Sequence, residues 1–140
     1  IIYNKDYNFK IGKSVVLKKG EDVAIFATGS MVKVAIDVSK KLEEEKISAS
    51  VINIHTIKPM DTSIIKKYLK SKLFVSIEEH NIIGGLGSAI SEETAKLGKG
   101  PKHIFFGIND EYSHHGDYKY LLRSYGLTAE KIVNKIKKNL

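Results

Sequence analysis

At 140 residues the chain is long enough to bury one two- or three-layer core and too short for a second globular unit. Its 42% hydrophobic and 28% charged content is that of an ordinary globular protein, no apolar run approaches a membrane span, and with no cysteine neither a disulfide framework nor a thiolate metal site is available. The net charge of +7 arises at the two ends, five lysines and one aspartate over residues 1 to 20 and four lysines and one glutamate over residues 128 to 140, so no basic stripe crosses the body to hold a nucleic acid.

No apolar leader precedes a cleavage-like site, and a soluble, cytoplasmic protein is the expectation. The first residue is Ile1, and the only methionines, Met31 and Met60, sit inside segments that read as structured, so the chain reads as a piece of a longer polypeptide.

Residues 1 to 13 carry no periodic pattern and read as a linker or N-terminal arm, with the folded domain expected over 14 to 140. Ser14 to Leu17 is a short β-rich run. Lys19-Gly20-Glu21-Asp22 reads as a turn into a second run, Val23 to Ala27, whose continuous apolar character suits a strand covered on both faces. Thr28-Gly29-Ser30 ends that strand, with Ser30 placed to cap a helix to about Glu45 that is striped by Val32, Ala35, Ile36, Ser39 and Leu42. A strand follows from Ala49 to Thr56. Pro59 stops it, and Asp61 is placed to cap a short helix through Leu69.

Leu73 to Ile77 is the next buried strand and leads directly into Glu78-Glu79-His80. Gly84-Gly85-Leu86-Gly87 then opens a helix to about Leu97, Pro101 marks a loop, and His103 to Ile108 forms a further strand. Helices at about Tyr118 to Tyr125 and Thr128 to Leu140 finish the chain, the last striped by Ile132, Val133, Ile136 and Leu140, with Lys131, Lys135, Lys137 and Lys138 on a solvated face.

Alternation of strand and helix at these spacings predicts a parallel sheet with helices on both faces. The Ser14 to Leu17 run is the exception. Its short connection to the next strand predicts a hairpin, antiparallel to the rest.

The glycine turn at Gly84, Gly85 and Gly87 lies between a strand and a helix, where backbone amides can meet a phosphate. It is not a GxGxxG, no acidic residue about twenty positions on completes a dinucleotide fingerprint, and the plainer reading is that its glycines let a helix start close against a neighbouring segment. Glu78, Glu79 and His80 stand at the carboxyl end of a central strand, where acid/base chemistry is possible. Adjacent residues of an extended chain point to opposite sides, which favours salt bridges or interdomain hydrogen bonds. Among the histidines only His114-His115-Gly116-Asp117 forms a polar loop with any metal-binding potential, and no Ser-His-Asp order, nucleophile elbow or P-loop is present.

Four ordered segments carry a family resemblance: Val23 to Ser30, Ile54 to Asp61, Ser76 to His80 with Gly84-Gly85-Leu86-Gly87-Ser88, and Tyr125 to Thr128. Together they resemble the C-terminal domain shared by transketolases, deoxyxylulose phosphate synthases and the β subunits of 2-oxo-acid dehydrogenases. Phe106-Gly107-Ile108-Asn109-Asp110 followed by Gly126-Leu127-Thr128 is most similar to the transketolase C-terminal sections. The resemblance implies a three-layer α/β/α fold on a five-stranded mixed sheet, four strands parallel and one antiparallel.

It also implies a parent enzyme that transfers two-carbon ketol units between sugar phosphates with thiamine diphosphate and Mg²⁺. In that family a GDG motif with a later Asn holds the diphosphate and metal, and a glutamate in a preceding domain activates the cofactor. None of these maps onto this chain, so no catalytic, cofactor-binding or metal-binding residue is carried over. The implied partners are the preceding pyrimidine-binding domain and a second parent subunit, with no nucleic acid and no membrane. The expected role is assembly, with Glu78, Glu79, His80, Gly84, Gly85 and Gly87 as the candidate domain or subunit contact. A small-ligand regulatory module using the same glycine turn is the reading from a different class.

Overall fold

Central strands that are apolar on both faces decide the architecture. In the computed structural model, which describes residues 2–3, 7, 9–112 and 114–140, five strands form one sheet: β1 (Val15–Lys18), β2 (Val23–Ala27), β3 (Ala49–Asn53), β4 (Leu73–Asn81) and β5 (Lys102–Ile108). The helices are α1 (Met31–Glu44), α2 (Thr62–Lys67), α3 (Leu86–Lys96), α4 (Tyr118–Ser124) and α5 (Ala129–Lys137). The strand order is β1-β3-β2-β4-β5, with β1 antiparallel and the others parallel.

Val23, Ile25 and Ala27 of β2 face one way, into a cluster with Met31, Ala35 and Leu42 of α1 and Ile132 and Ile136 of α5. Ala24 and Phe26 face the other way, against Ile65 of α2 and Leu86 and Ile90 of α3. All five residues of β2 are buried, because a strand sandwiched between two helical layers has no wet face. Phe26 and Phe74 meet edge to face at 5.0 Å in the second layer.

The hairpin expected of β1 and β2 does not form. β1 pairs with β3, Val15 opposite Asn53, and β3 lies between β1 and β2. The reason is the path of residues 19 to 22. The Gly20 amide donates to Ser50 Oγ at 2.7 Å, Ser50 Oγ donates back to the Gly20 carbonyl at 2.8 Å, and the Asp22 amide donates to the Ser48 carbonyl at 2.9 Å. The connection thus crosses the start of β3. Only glycine allows it, since a Cβ at position 20 would lie 2.6 Å from the Ala49 nitrogen.

Other differences are local. β3 ends at Asn53 rather than Thr56, while β4 runs on through Glu78, Glu79 and His80 to Asn81. Neither expected cap acts as one: Ser30 and Asp61 stand at the N-cap positions without a side-chain capping bond. Asp61 instead accepts from the Ser14 amide at 3.0 Å and Ser14 Oγ at 2.9 Å, and from Ser63 Oγ, pinning the entry to β1 against α2. Burial pushes the Asp61 carboxyl up, but the bonds from Ser63 and Ser14 outweigh it and hold it below the usual carboxylate value. Leu140, expected in the α5 stripe, is exposed past the helix end.

The residues before β1 are laid against the fold where they are described. Asn53 Nδ2 donates to Tyr3 Oη at 2.7 Å, Phe9 packs on the His55 ring at 4.6 Å, and the Gly12 amide donates to Thr56 Oγ1 at 2.9 Å. Ile1, Asn4, Lys5, Asp6 and Asn8 of the expected arm lie outside the described residues.

Candidate functional site

The connection after β2 turns to one side of the sheet and the connection after β4 to the other, so the carboxyl ends of these adjacent parallel strands form the switch point at which open α/β sheets have a crevice. A cleft of about 430 Å³ lies there, between Thr28-Gly29-Ser30 and the Glu79-His80 and Gly84-Gly85 segments.

The pleat of β4 sends its two glutamates to opposite faces. Glu78 is 1% exposed. Its Oε2 accepts from the Leu86 amide at 2.7 Å and its Oε1 from the Gly87 amide at 2.9 Å, so the carboxylate sits on the free amides that begin α3. Glu79 is exposed and turns toward α1. It accepts from Ser30 Oγ, and from Tyr118 Oη at 2.9 Å, tying the start of α1, the end of β4 and the start of α4.

The three glycines serve this arrangement differently. Gly84 takes φ +78 in the turn, a left-handed conformation that other residues rarely adopt. A Cβ on Gly85 would overlap the Glu78 carboxylate, and one on Gly87 would overlap the Phe105 ring. The expectation that the glycines allow a helix to start close to its neighbour therefore describes the geometry. A phosphate at this turn does not fit. The α3 amides that would cradle it are already held by a buried anion, and Glu79 places a second carboxylate beside the start of α1. The residues present therefore do not suit the diphosphate of a cofactor.

Of the candidate residues, Glu78, Glu79, His80, Gly84 and Gly85 line the cleft, and Gly87 lies beneath it. Sequence reasoning did not foresee the parts of Ser30 and Tyr118 in this cluster. Ser30 stood out only as a helix cap, and nothing local links Tyr118 to a strand end thirty-nine residues earlier. The His114 to Asp117 loop is exposed, and no group of three His, Cys, Asp or Glu side chains suited to a metal occurs among the described residues.

His103 is the histidine with a distinct environment. Its ring stacks on Phe105 at 4.2 Å, Nδ1 lies 3.1 Å from Ser91 Oγ, and Nε2 is buried without a partner. Burial lowers its pKa from the ordinary 6.5 to about 4. The folded state therefore keeps the ring neutral over a range where the unfolded chain binds a proton. Its contribution is complete above pH 6.5 and is lost as the pH falls toward 4, at about 1.4 kcal/mol per unit. Urea midpoints at pH 7 and pH 4.5 are expected to differ less in His103→Gln than in the wild type. An unchanged difference would mean that His103 is protonated without penalty.

Comparison with known proteins agrees with this layout. The model of the family "Transketolase, C-terminal domain" matches residues 12–132. A Methanocaldococcus jannaschii protein described as a transketolase C-terminal section is 44% identical over 139 residues, covering 97% of this chain and 43% of the relative. The 1-deoxy-D-xylulose-5-phosphate synthase of Methylacidiphilum infernorum is 41% identical over 121 residues, covering 86% of this chain and 19% of the relative. A solved structure titled "Split gene transketolase, inactive beta4 tetramer" superposes with a TM-score of 0.92 at 35% identity, covering 100% of this chain and 46% of that one. The chain spans less than half the length of each of these proteins.

Proposed function

The chain belongs to the transketolase C-terminal domain family, and from that premise we propose that it is the C-terminal assembly domain of a thiamine-diphosphate-dependent transketolase. In this reading the parent enzyme transfers two-carbon ketol units between sugar phosphates, in the cytoplasm, as a homodimer. Thiamine diphosphate and Mg²⁺ are held by other domains, and this one packs on the pyrimidine-binding domain through the Glu78 to Gly87 segment.

The observation that carries the reading is the amide cradle of α3 filled by Glu78. The strand-glycine-helix turn, the place in this fold suited to a phosphate, is devoted to holding the domain's own structure. What remains at the surface are Glu79, His80 and Gly84, which can meet a neighbouring domain while Glu78, Gly85 and Gly87 support them from beneath.

Calorimetric titration of thiamine diphosphate with Mg²⁺ into the 140-residue chain is expected to give no binding isotherm and no ketol transfer. Micromolar binding would overturn the assembly role. The 41% identity to a 1-deoxy-D-xylulose-5-phosphate synthase supports a second reading, in which the domain's role is unchanged but the parent forms that product. Assay of the parent enzyme for 1-deoxy-D-xylulose 5-phosphate against ketol transfer between sugar phosphates separates the two.

A further inference from the structure

A second cleft opens at the free edge of the sheet, away from the β2 and β4 strand ends. β5 is the last strand and pairs with β4. Ile108 turns its carbonyl inward to the Ile82 amide at 2.9 Å, so the alternation of a strand turns the backbone groups of Gly107 toward the free edge. There the Tyr125-Gly126 turn and α5 stand off the sheet and leave a cleft of about 270 Å³, lined among others by Ile82, Gly107, Asn109, Tyr125, Lys131 and Lys135.

The two lysines stand one helical turn apart on α5, and among the described residues no carboxylate lines the cleft with them. Lys18, Lys33, Lys41, Lys72, Lys96 and Lys137 each pair with a carboxylate. Among the described residues Lys131 and Lys135 do not. Lys131 Nζ donates to the Arg123 carbonyl at 2.6 Å and Lys135 Nζ lies 5.0 Å over the Phe106 ring. These neutral partners leave both charges in place and leave each ammonium further hydrogens to donate. Like charges at this spacing repel, a cost that an anion between them removes.

The acidic groups nearest in sequence are engaged elsewhere. Glu130 pairs with Lys41 of α1 at 3.1 Å, Asp110 accepts from Asn81 Nδ2 at 3.0 Å, Glu78 holds the start of α3, and Glu79 accepts from Ser30 and Tyr118. Glu111 is exposed, and so are Arg123 and Lys138, so the surroundings do not cancel the two lysines. Tyr125 is fixed on the cleft wall, its Oη accepting from the His114 amide at 3.1 Å and its ring stacked on that of His114.

We infer that this cleft binds a small phosphate monoester, the phosphate held between Lys131, Lys135 and the Asn109 side chain, and the carbon skeleton beside Tyr125 and Ile82. Such an ester carries close to two negative charges at pH 7, which matches two ammoniums where a single carboxylate matches one. The site is independent of the assembly role, and it lies apart from the glycine turn, whose amides Glu78 already fills.

Amide NMR spectra of the 140-residue chain titrated with glycerol 3-phosphate, inorganic phosphate and glycerol test the site. Glycerol 3-phosphate is expected to shift the amides of residues 105–109 and 125–126 saturably, with a Kd of about 1 mM. Inorganic phosphate is expected to bind several-fold more weakly, and glycerol to cause no shift. Lys131→Gln and Lys135→Gln are each expected to raise the Kd about five-fold. Asn109→Asp, which brings a carboxylate into the cleft and keeps both lysines, is expected to raise it about ten-fold or more. Lys138→Gln, which removes the same charge from α5 outside the cleft, is expected to change it by less than about two-fold. Shifts that grow without saturating, or that weaken as much in Lys138→Gln as in Lys135→Gln, overturn the site and leave only diffuse attraction of anions to a basic chain. Inorganic phosphate bound as tightly as the ester overturns the ester assignment. A millimolar site gives no isotherm at the micromolar concentrations of the thiamine diphosphate titration, so the two readings fail separately.

Discussion

A chain ending at Leu127 is expected to be insoluble, or to melt without a cooperative transition, because α5 is part of the core. Ile132 and Ile136 are fully buried and Val133 is 6% exposed, all packed against α1 and the sheet. Burial of three such side chains contributes roughly 1.5 to 3 kcal/mol each, a large share of the roughly 5 to 15 kcal/mol that keeps a domain folded. Removal of the helix would also uncover Leu42, Ile104 and Phe106 from that layer.

The lysines of α5 are more than a solvated face. Lys137 pairs with Glu45 of the α1 end, Lys135 lies 5.0 Å over the Phe106 ring, and Lys131 Nζ donates to the Arg123 carbonyl at 2.6 Å. These exposed contacts are individually small, so replacing Lys138, for which no such partner stands out, should leave the melt unchanged, and Lys135→Gln should lower it only slightly. A truncated chain that melts at the wild-type temperature would show α5 to be peripheral.

Glu78→Ala is expected to produce the largest loss of stability of any single substitution at the candidate site. It strips the acceptor from the buried Leu86 and Gly87 amides, and each donor left unpaired away from water costs about 1 to 3 kcal/mol. The combined loss, roughly 2 to 6 kcal/mol, corresponds to a melting temperature lower by roughly 10 °C or more. Glu78→Gln, which keeps one carbonyl oxygen, should fall between. Thermal melts of both variants check this, and an alanine variant within a degree or two of wild type would show that water replaces the carboxylate freely. Gly85→Val should behave like the alanine variant, since its side chain collides with that carboxylate. It therefore does not test a surface contact.

The central strands and most helices were legible because their signal is local. Val23 to Ala27 and Leu73 to Ile77 are apolar on both faces, and α1 and α5 show clear three- and four-residue spacing. The pleat also foretold that Glu78 and Glu79 would point apart. What each would touch was not legible, since their partners, Leu86, Gly87, Ser30 and Tyr118, are brought in by two connections and a distant helix. Asp61 and Ser30 show the same limit: both hold cap positions by type, and tertiary partners at Ser14 and Glu79 claim their oxygens. The pairing of β1 was missed because a short connection favours a hairpin on local grounds, and only the crossing over Ala49 and Ser50 shows that the neighbouring position in the sheet is taken.

That crossing bears on how the chain folds. β1 and β2 are near neighbours in sequence yet share no hydrogen-bonded ladder, and Val15 finds its partner only at Asn53. The first strand must therefore wait for α1 and β3 before it has an edge to join, and closing so long a loop is entropically slower than closing a hairpin. Direct pairing of β1 with β2 would occupy the slot that belongs to β3. The hydrogen bonds joining Gly20 to Ser50 and Asp22 to Ser48 need β3 in place, so in pulse-labelled refolding the amides of β1 are expected to gain protection later than those of β2 and β3.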